Sequence, residues 1–325
     1  MKKHVLFIGV ILFMVFSFVA YAQATAAPER IRLGDGRTQF YSFISSSAGG
    51  TWYTMVGGAI SLFNEYFEGA RFSIEASGGS VENTRRLARG EVDFGIAYSS
   101  HIYEAMSGTG LFEGEPPNDN IRVVARIFIS PHKFVTLQGF GITSLSDMEG
   151  RTVSLGAAGS GTSDNSRRTL RALGINVNEV EMMFSDAARA LQDGHIAALG
   201  QGGAPAAGIV ELAATRDIHI IPFSEEELRI MVELNPYFAP GELPAHTYQG
   251  QPEAVPVFTF SVYWIAHRDV PDQVVYESLR LAASEYGLAH LSTVHRQWAT
   301  LSYSEEDENI LGLVFHPGAL AYWRQ

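Results

Sequence analysis

Three times along this chain a short apolar run breaks into a turn rich in Gly and Ser and then opens an amphipathic stretch, at residues 45–51, 77–83 and 156–164. Each reads as a strand running into a helix, and a chain assembled from such junctions folds as sheets covered by helices. The junctions also carry chemistry. The first four N–H groups of a helix lack intrahelical acceptors, and the aligned peptide dipoles place roughly half a positive charge there, so these turns suit a carboxylate or a phosphate.

The alternation is regular. Residues 39–45 read as a strand, 51–67 as a helix with Trp52, Met55, Val56, Ala59, Ile60 and Phe63 on one face, and 72–76 as the next strand. Ser80 is expected to cap a helix that runs to Arg89 and stops at Gly90, before a third strand over 92–98. The order β-α-β-α-β predicts a largely parallel sheet with helices on both faces. A second unit begins after Pro131, with strands over 134–137 and 152–155, a helix over 164–173 and another capped by Ser185 and ended by Gly194. Leu87-Ala88-Arg89-Gly90-Glu91-Val92 and Leu191-Gln192-Asp193-Gly194-His195-Ile196 each end a helix with Gly and start a strand, which suggests two lobes of similar plan. Ser224 and Glu227 form a capping box, 235–256 reads as an extended surface connection, and Pro271 is expected at the first position of a C-terminal helix. The apolar strand over 257–266 and the segment 126–137 are candidates for two crossings between the lobes. Two such crossings restrict motion to opening and closing about one axis.

Lys2 and Lys3 precede an apolar run over 5–20, and Ala20-Tyr21-Ala22 and Ala22-Gln23-Ala24 both fit signal-peptide cleavage. Residues 1–24 are therefore expected to be a leader, cleaved near residues 22–24, of an exported protein. The chain contains no Cys, which excludes a lipid-anchored Cys, thiol catalysis, thiolate metal sites and disulfides. Removing the two leader lysines takes the formal net charge from −12 to −14. Nucleic acid is not expected as a partner, because binding it needs clustered Lys and Arg. Capture of an anion must then rest on local donors.

The segment 156–163 has the glycine spacing of a phosphate-binding loop, but Thr162 stands where that motif needs Lys. No nucleophile elbow, paired-histidine zinc signature or dinucleotide fingerprint occurs, and no cofactor or metal is expected. Gly50 and Gly79 allow backbone N–H groups to approach an anion closely, while Thr51, Ser80 and Thr162 add hydroxyls. Arg85, Arg86 and Arg89, and Arg167, Arg168 and Arg171, follow two of the turns and read as solvated helix faces. A rival reading uses the same cleft for hydrolysis or group transfer, with Ser160 near Asp164 as nucleophile. A third makes the protein a ligand-sensing module for a membrane sensor.

Taken together, Ser47-Ala48-Gly49-Gly50-Thr51-Trp52-Tyr53 with Gly57-Gly58-Ala59, then Ser77-Gly78-Gly79-Ser80-Val81-Glu82-Asn83, then Gly90-Glu91-Val92-Asp93-Phe94-Gly95-Ile96 resemble the solute receptors of TRAP transporters, in particular the TAXI subfamily. Gly159-Ser160-Gly161-Thr162, Gly203-Ala204-Pro205 and His316-Pro317-Gly318-Ala319 fit the same family, so the likeness covers nearly the whole chain after the leader. The resemblance implies an α/β, two-lobed periplasmic-binding-protein fold (type II-like), each lobe a mainly parallel sheet flanked by helices, with two hinge crossings. Residues 25–131 and 262–325 would form lobe 1 and residues 132–261 lobe 2. It implies a periplasmic receptor that takes a small carboxylate, glutamate-like or a related organic acid, to the subunits of a sodium-coupled TRAP permease. Carried over, Ser47, Gly50, Thr51 and Tyr53 would line one wall with Ser80 and Asn83 beside them. Ser160, Gly161 and Thr162 would face them, with Gly203 and Ala204 nearby. Tyr98 departs from many relatives, which have Gln or another amide near this position, and this leaves the side-chain preference of the pocket open.

Overall fold

The computed structural model describes residues 27–34, 36–48, 50–309 and 312–325; the expected leader and its cleavage position lie outside them. Strands β1 (Ile31–Arg32) and β2 (Gln39–Ile44) lead into α1 (Thr51–Tyr66), whose apolar stripe is buried from Trp52 to Phe63 as a 3.6-residue period requires. Then come β3 (Phe67–Glu68), β4 (Ala70–Glu75), α2 (Ser80–Ala88), β5 (Phe94–Tyr98), α3 (Ser99–Ser107) and the 17-residue β6 (Ile121–Leu137). The second unit runs β7 (Thr152–Ser154), α4 (Gly161–Ala172), β8 (Asn178–Val180), α5 (Phe184–Gln192), β9 (Ala198–Gly202), α6 (Ala207–Ala213) and β10 (Ile218–Ile221). After α7 (Glu225–Leu234) and β11 (Ala239–Leu243), the 13-residue β12 (Val255–His267) precedes α8 (Asp272–Ala283), α9 (Glu285–Val294), α10 (Glu305–Asn309) and α11 (Pro317–Trp323).

Ten strands form one sheet in the order β4-β2-β5-β12-β6-β9-β7-β8, with β10 added to β6 and β11 to β12. At one end β4, β2 and β5 are parallel, and at the other so are β8, β7 and β9. Between them β6 and β12 run antiparallel from Phe258 opposite His132 to His267 opposite Ile121. Pairing of β5 uses Val262 to Ala266 of β12, whereas β9 uses His132 to Val135 of β6, so the two long strands pass from one parallel set to the other. Both are buried along most of their length. This explains their continuous apolar character in place of alternation.

The two parallel sets begin alike. Gly90 (φ 68°) and Gly194 (φ 76°) both adopt the left-handed conformation that ends a helix at low steric cost. Gly90 N–H donates to Leu87 O and Glu91 N–H to Arg86 O; Gly194 N–H donates to Leu191 O and His195 N–H to Ala190 O. The same pair of bonds therefore aims β5 and β9, which end at Tyr98 and Gly202.

Several local expectations change. Gly79, not Ser80, precedes α2, because the Ser80 hydroxyl accepts from Tyr98 N–H (2.8 Å) and bonds His101, so Ser80 becomes the first helical residue. Helix α4 starts three residues early, since Ser160 Oγ accepts Ser163 N–H at 3.0 Å and caps it. Met183 precedes α5, placing Ser185 inside it, and Pro271 precedes α8 instead of starting it. The 235–256 connection contributes β11 to the sheet and buries Tyr248. The Ser224 and Glu227 capping box forms with both reciprocal bonds. The C-terminal helices pack against the first unit: Tyr286 Oη meets Tyr66 Oη at 2.8 Å, and Trp323 Nε1 donates to Val124 O at 3.0 Å.

Candidate functional site

A cavity of about 220 Å³ lies where β5 and β9 end. Five helices begin at its walls. Gly50, Thr51 and Trp52 open α1, Gly79 and Ser80 open α2, and Ser160, Gly161 and Thr162 open α4; Phe184 and Ser185 come from α5, and Ala206, Ala207 and Gly208 from the short α6. Tyr98, the residue before α3, adds a sixth start. Among the described residues no acceptor meets the backbone N–H of Thr51, Ser80, Gly161 or Thr162. The cavity is thus surrounded by unspent donors and by the positive ends of helix dipoles. Among the described residues no Lys or Arg lines it, and Glu211, exposed at the margin, is the one charged residue that does.

Of the expected positions, Gly50, Thr51, Ser80, Ser160, Gly161, Thr162 and Gly203 line the cavity. Ser47, Tyr53, Asn83 and Ala204 do not. Ser47 turns the chain by accepting Gly50 N–H at 2.9 Å, and Ser46 lines the wall in its place. Tyr53, half-buried, lies one helical step beyond Trp52 and leaves α1 in another direction. Asn83, fully buried, is a strut: its amide donates to Ser45 O (2.5 Å) and Ile96 O (2.8 Å), and it accepts from Ser77 Oγ (2.5 Å). Ala204 packs with the apolar cluster around Val135 and Leu199, and its carbonyl accepts from Gln297 Nε2 at 3.2 Å.

Lining residues that motif reading missed are Ser46, Trp52, Phe128, Phe184, Ser185, Gln201 and Gly202, with the start of α6. Applying the strand-to-helix rule to every junction of the second unit finds the starts of α5 and α6. Phe128 enters only because β6 crosses beneath the cavity, which no local pattern announces.

The walls touch around Tyr98. Its ring packs edge-on to Trp52 at 5.2 Å and its hydroxyl lies 3.4 Å from Thr162 Oγ1; burial pushes the phenol up to about 12, so it stays neutral. A Cβ on Gly161 would sit 2.4 Å from the Tyr98 ring, and one on Gly202 would sit 2.6 Å from the Tyr98 hydroxyl. These two glycines admit the phenol.

Beside the cavity a chain of polar groups joins α3 to α4. Ser80 Oγ lies 2.8 Å from His101 Nδ1, and His101 Nε2 lies 3.0 Å from Asp164 Oδ2. Arg168 reaches Asp164 at 2.6 Å and Glu104 at 2.7 Å. Burial raises the Asp164 carboxyl, but His101 and Arg168 outweigh it and hold it below the usual carboxylate range. Burial likewise works against the Arg168 charge, and Glu104 and Asp164 more than offset it. Ser160, by contrast, has its hydroxyl spent on the α4 cap, and Asp164 is turned to Arg168 and His101. Arg85 is similarly engaged, with Glu115 at 3.1 Å.

Among the described residues no helix is long and apolar enough to cross a membrane. The fold matches solved structures at low sequence identity. A periplasmic transporter shares 15% identity over 88% of this chain and 94% of its own, with a TM-score of 0.54. MatC from Rhodopseudomonas palustris, solved with bound malate, shares 14% over 85% and 93%, with a TM-score of 0.52. The substrate-binding protein of an amino acid ABC transporter shares 13% over 81% and 100%, with a TM-score of 0.48. The first two likenesses concern the α/β architecture of sheet and flanking helices, which is that of periplasmic binding proteins. At the level of sequence the NMT1-like family model matches residues 43–325, which takes in both parallel sets apart from the first four residues of β2, both crossing strands and every wall of the cavity, and the chain belongs to that family.

Proposed function

We propose that the protein is a periplasmic solute receptor that holds a small carboxylate, glutamate-like or a related organic acid, between two lobes. Lobe 1 comprises residues 25–131 and 262–325, and lobe 2 residues 132–261. The receptor delivers its ligand unchanged to the membrane subunits of a sodium-coupled TRAP permease, as the TAXI-type motifs suggest. The observation that carries the reading is the convergence of five helix starts, three of them (α1, α2 and α4) with unspent N–H donors, on one cavity that no cation lines among the described residues. Malate in MatC, a protein of related architecture, is consistent with a small acid as ligand. Hydrogen bonds to a charged group contribute about 1.5–3 kcal/mol each. Four of them cover the roughly 8 kcal/mol of micromolar affinity once ordering costs are met. The ligand-binding set we assign is Gly50, Thr51, Ser80, Ser160, Gly161, Thr162 and Gly203, joined by Tyr98 and Gln201.

The mechanism is closure by differential affinity. A ligand that touches the Thr51 and Ser80 wall and the Gly161 and Thr162 wall together favours the closed arrangement, because only there are both sets of donors satisfied. A second reading has one observation in its favour: Ser80, His101 and Asp164 stand in the order a hydrolase uses. Against it, Asp164 is neutralised by Arg168, and Ser80 Oγ is already occupied by Tyr98 N–H. Native mass spectrometry of protein purified without refolding separates the two. The receptor reading expects a small acid that is retained and released with unchanged mass, whereas turnover of added esters or amides would favour the hydrolase.

A further inference from the structure

The anion reading leaves the countercharge unassigned. Among the described residues no cation lines the cavity, and the arginines of α2 and α4 that follow its turns are committed: Arg85 to Glu115, Arg86 to Glu75 and Glu91, Arg167 to Glu179 and Glu181, and Arg168 to Glu104 and Asp164. Lys133 is different. It lies in β6 directly opposite the cavity-lining Gln201 of β9, and residues opposed in an antiparallel ladder share a face of the sheet. Its side chain is fully buried, and its ammonium donates to the carbonyl of Gly203, which itself lines the cavity. Among the described residues it makes no ion pair.

An ammonium carries three donors, and a buried one ordinarily has a carboxylate beside it. Among the described residues the surroundings supply none. On the same strand, burial drives His132 down to about 3, so it is neutral. From the loop after β11, the Tyr248 ring stands 5.9 Å from Nζ, and burial raises its phenol, which is also neutral. Arg296, in the turn Arg296–Thr300, faces Tyr248 and is a cation. On α4, Asp164 faces His132 and is held by hydrogen bonds with Arg168 and His101.

We propose that Lys133 is the electrostatic countercharge of the cavity, and that an anion bound there is accompanied by a proton on this ammonium. The proposal rests on the carboxylate reading given above. Desolvation alone lowers Lys133 to about 7, so in the empty protein it is only partly charged near neutral pH. An anion bound in the cavity stabilises the charged form, and by linkage the charged form binds the anion more tightly. The sign follows: affinity is highest below about pH 7 and falls as pH rises, by as much as tenfold per unit, until the pKa of the occupied state is passed.

The test uses succinate, L-malate, L-glutamate and 2-oxoglutarate as probes, with calorimetry near pH 7 in Tris and in bis-Tris. These two cationic buffers do not compete for an anion site and differ in ionisation enthalpy. The expected result is uptake of about half a proton per site near pH 7, rising toward one when the titration is repeated near pH 8, with a Kd that weakens roughly tenfold or more between about pH 6 and pH 8.5. Lys133→Met should abolish both effects and leave weak binding that is flat with pH. Carbon-13 NMR of lysine-labelled, unsubstituted protein provides a second readout that does not depend on the variant folding: the Lys133 titration should move upward when the tightest probe is added. Binding of a probe without proton uptake, with a pH profile matching the variant, overturns the assignment of Lys133 and leaves the cavity reading standing. If no probe binds at any pH, the carboxylate reading fails and this inference falls with it.

Discussion

Gly161 shows how much a single missing side chain decides. It starts α4 and faces Tyr98, and a methyl group there would sit 2.4 Å from the ring and 2.8 Å from His101 Cε1. Such contacts are met by separating the two walls, not by rotating an aromatic ring already packed on Trp52 and Phe260. Gly161→Ala should therefore weaken carboxylate binding by more than about tenfold while the melting temperature shifts little, because alanine suits a first helical turn. Parallel calorimetry and circular dichroism melting check this, and unchanged affinity would mean that the walls need not meet. At this scale the sequence was uneven. Gly161 and Thr162 were legible because a Gly/Ser turn before an amphipathic run has a mechanical meaning. Asn83 is harder to read, because the polar residue of a motif is equally useful as a strut, and only the carbonyls of Ser45 and Ile96 reveal the bonds it makes.

Among the elements, the helix starts carry the site and the two long strands carry the frame. Thr162 is the second residue of α4, a position where proline fits the first turn but removes one N–H. Thr162→Pro should keep the fold and weaken carboxylate affinity by more than about tenfold, measured by Trp52 fluorescence titration; an unchanged Kd would remove α4 from the binding wall. The strand and helix order of both units could be read from periodicity, as could the shared Gly90 and Gly194 ends. What periodicity does not contain is the long-range pairing. The 17-residue β6 reads locally as two apolar segments around Pro131, and it becomes one strand because β12 pairs it from Ile121 through Pro131 to His132 while β9 and β10 pair its far end. Similarly, β11 lay hidden in a proline-rich stretch whose strand character comes from its partner β12.

For the whole molecule, the contact between α3 and α4 links the two walls beyond the cavity rim. The ion pairs of Arg168 with Glu104 and Asp164 join groups that are largely buried, so they matter more than the exposed pairs on α7. If closure forms this contact, Arg168→Met should weaken ligand affinity about tenfold although the side chain does not line the cavity, and it should do so by speeding dissociation. Stopped-flow fluorescence separates the rates; a loss confined to the association rate would place the contact outside the closing step. The central claim remains that converging helix starts hold a small carboxylate that is not transformed. Isothermal titration of the intact protein with a panel of mono- and dicarboxylic acids, each titration followed by mass analysis of the acid, tests it most directly. The account predicts one acid bound per chain near micromolar affinity and recovered unaltered, while absence of binding across the panel, or recovery of a changed product, would contradict it.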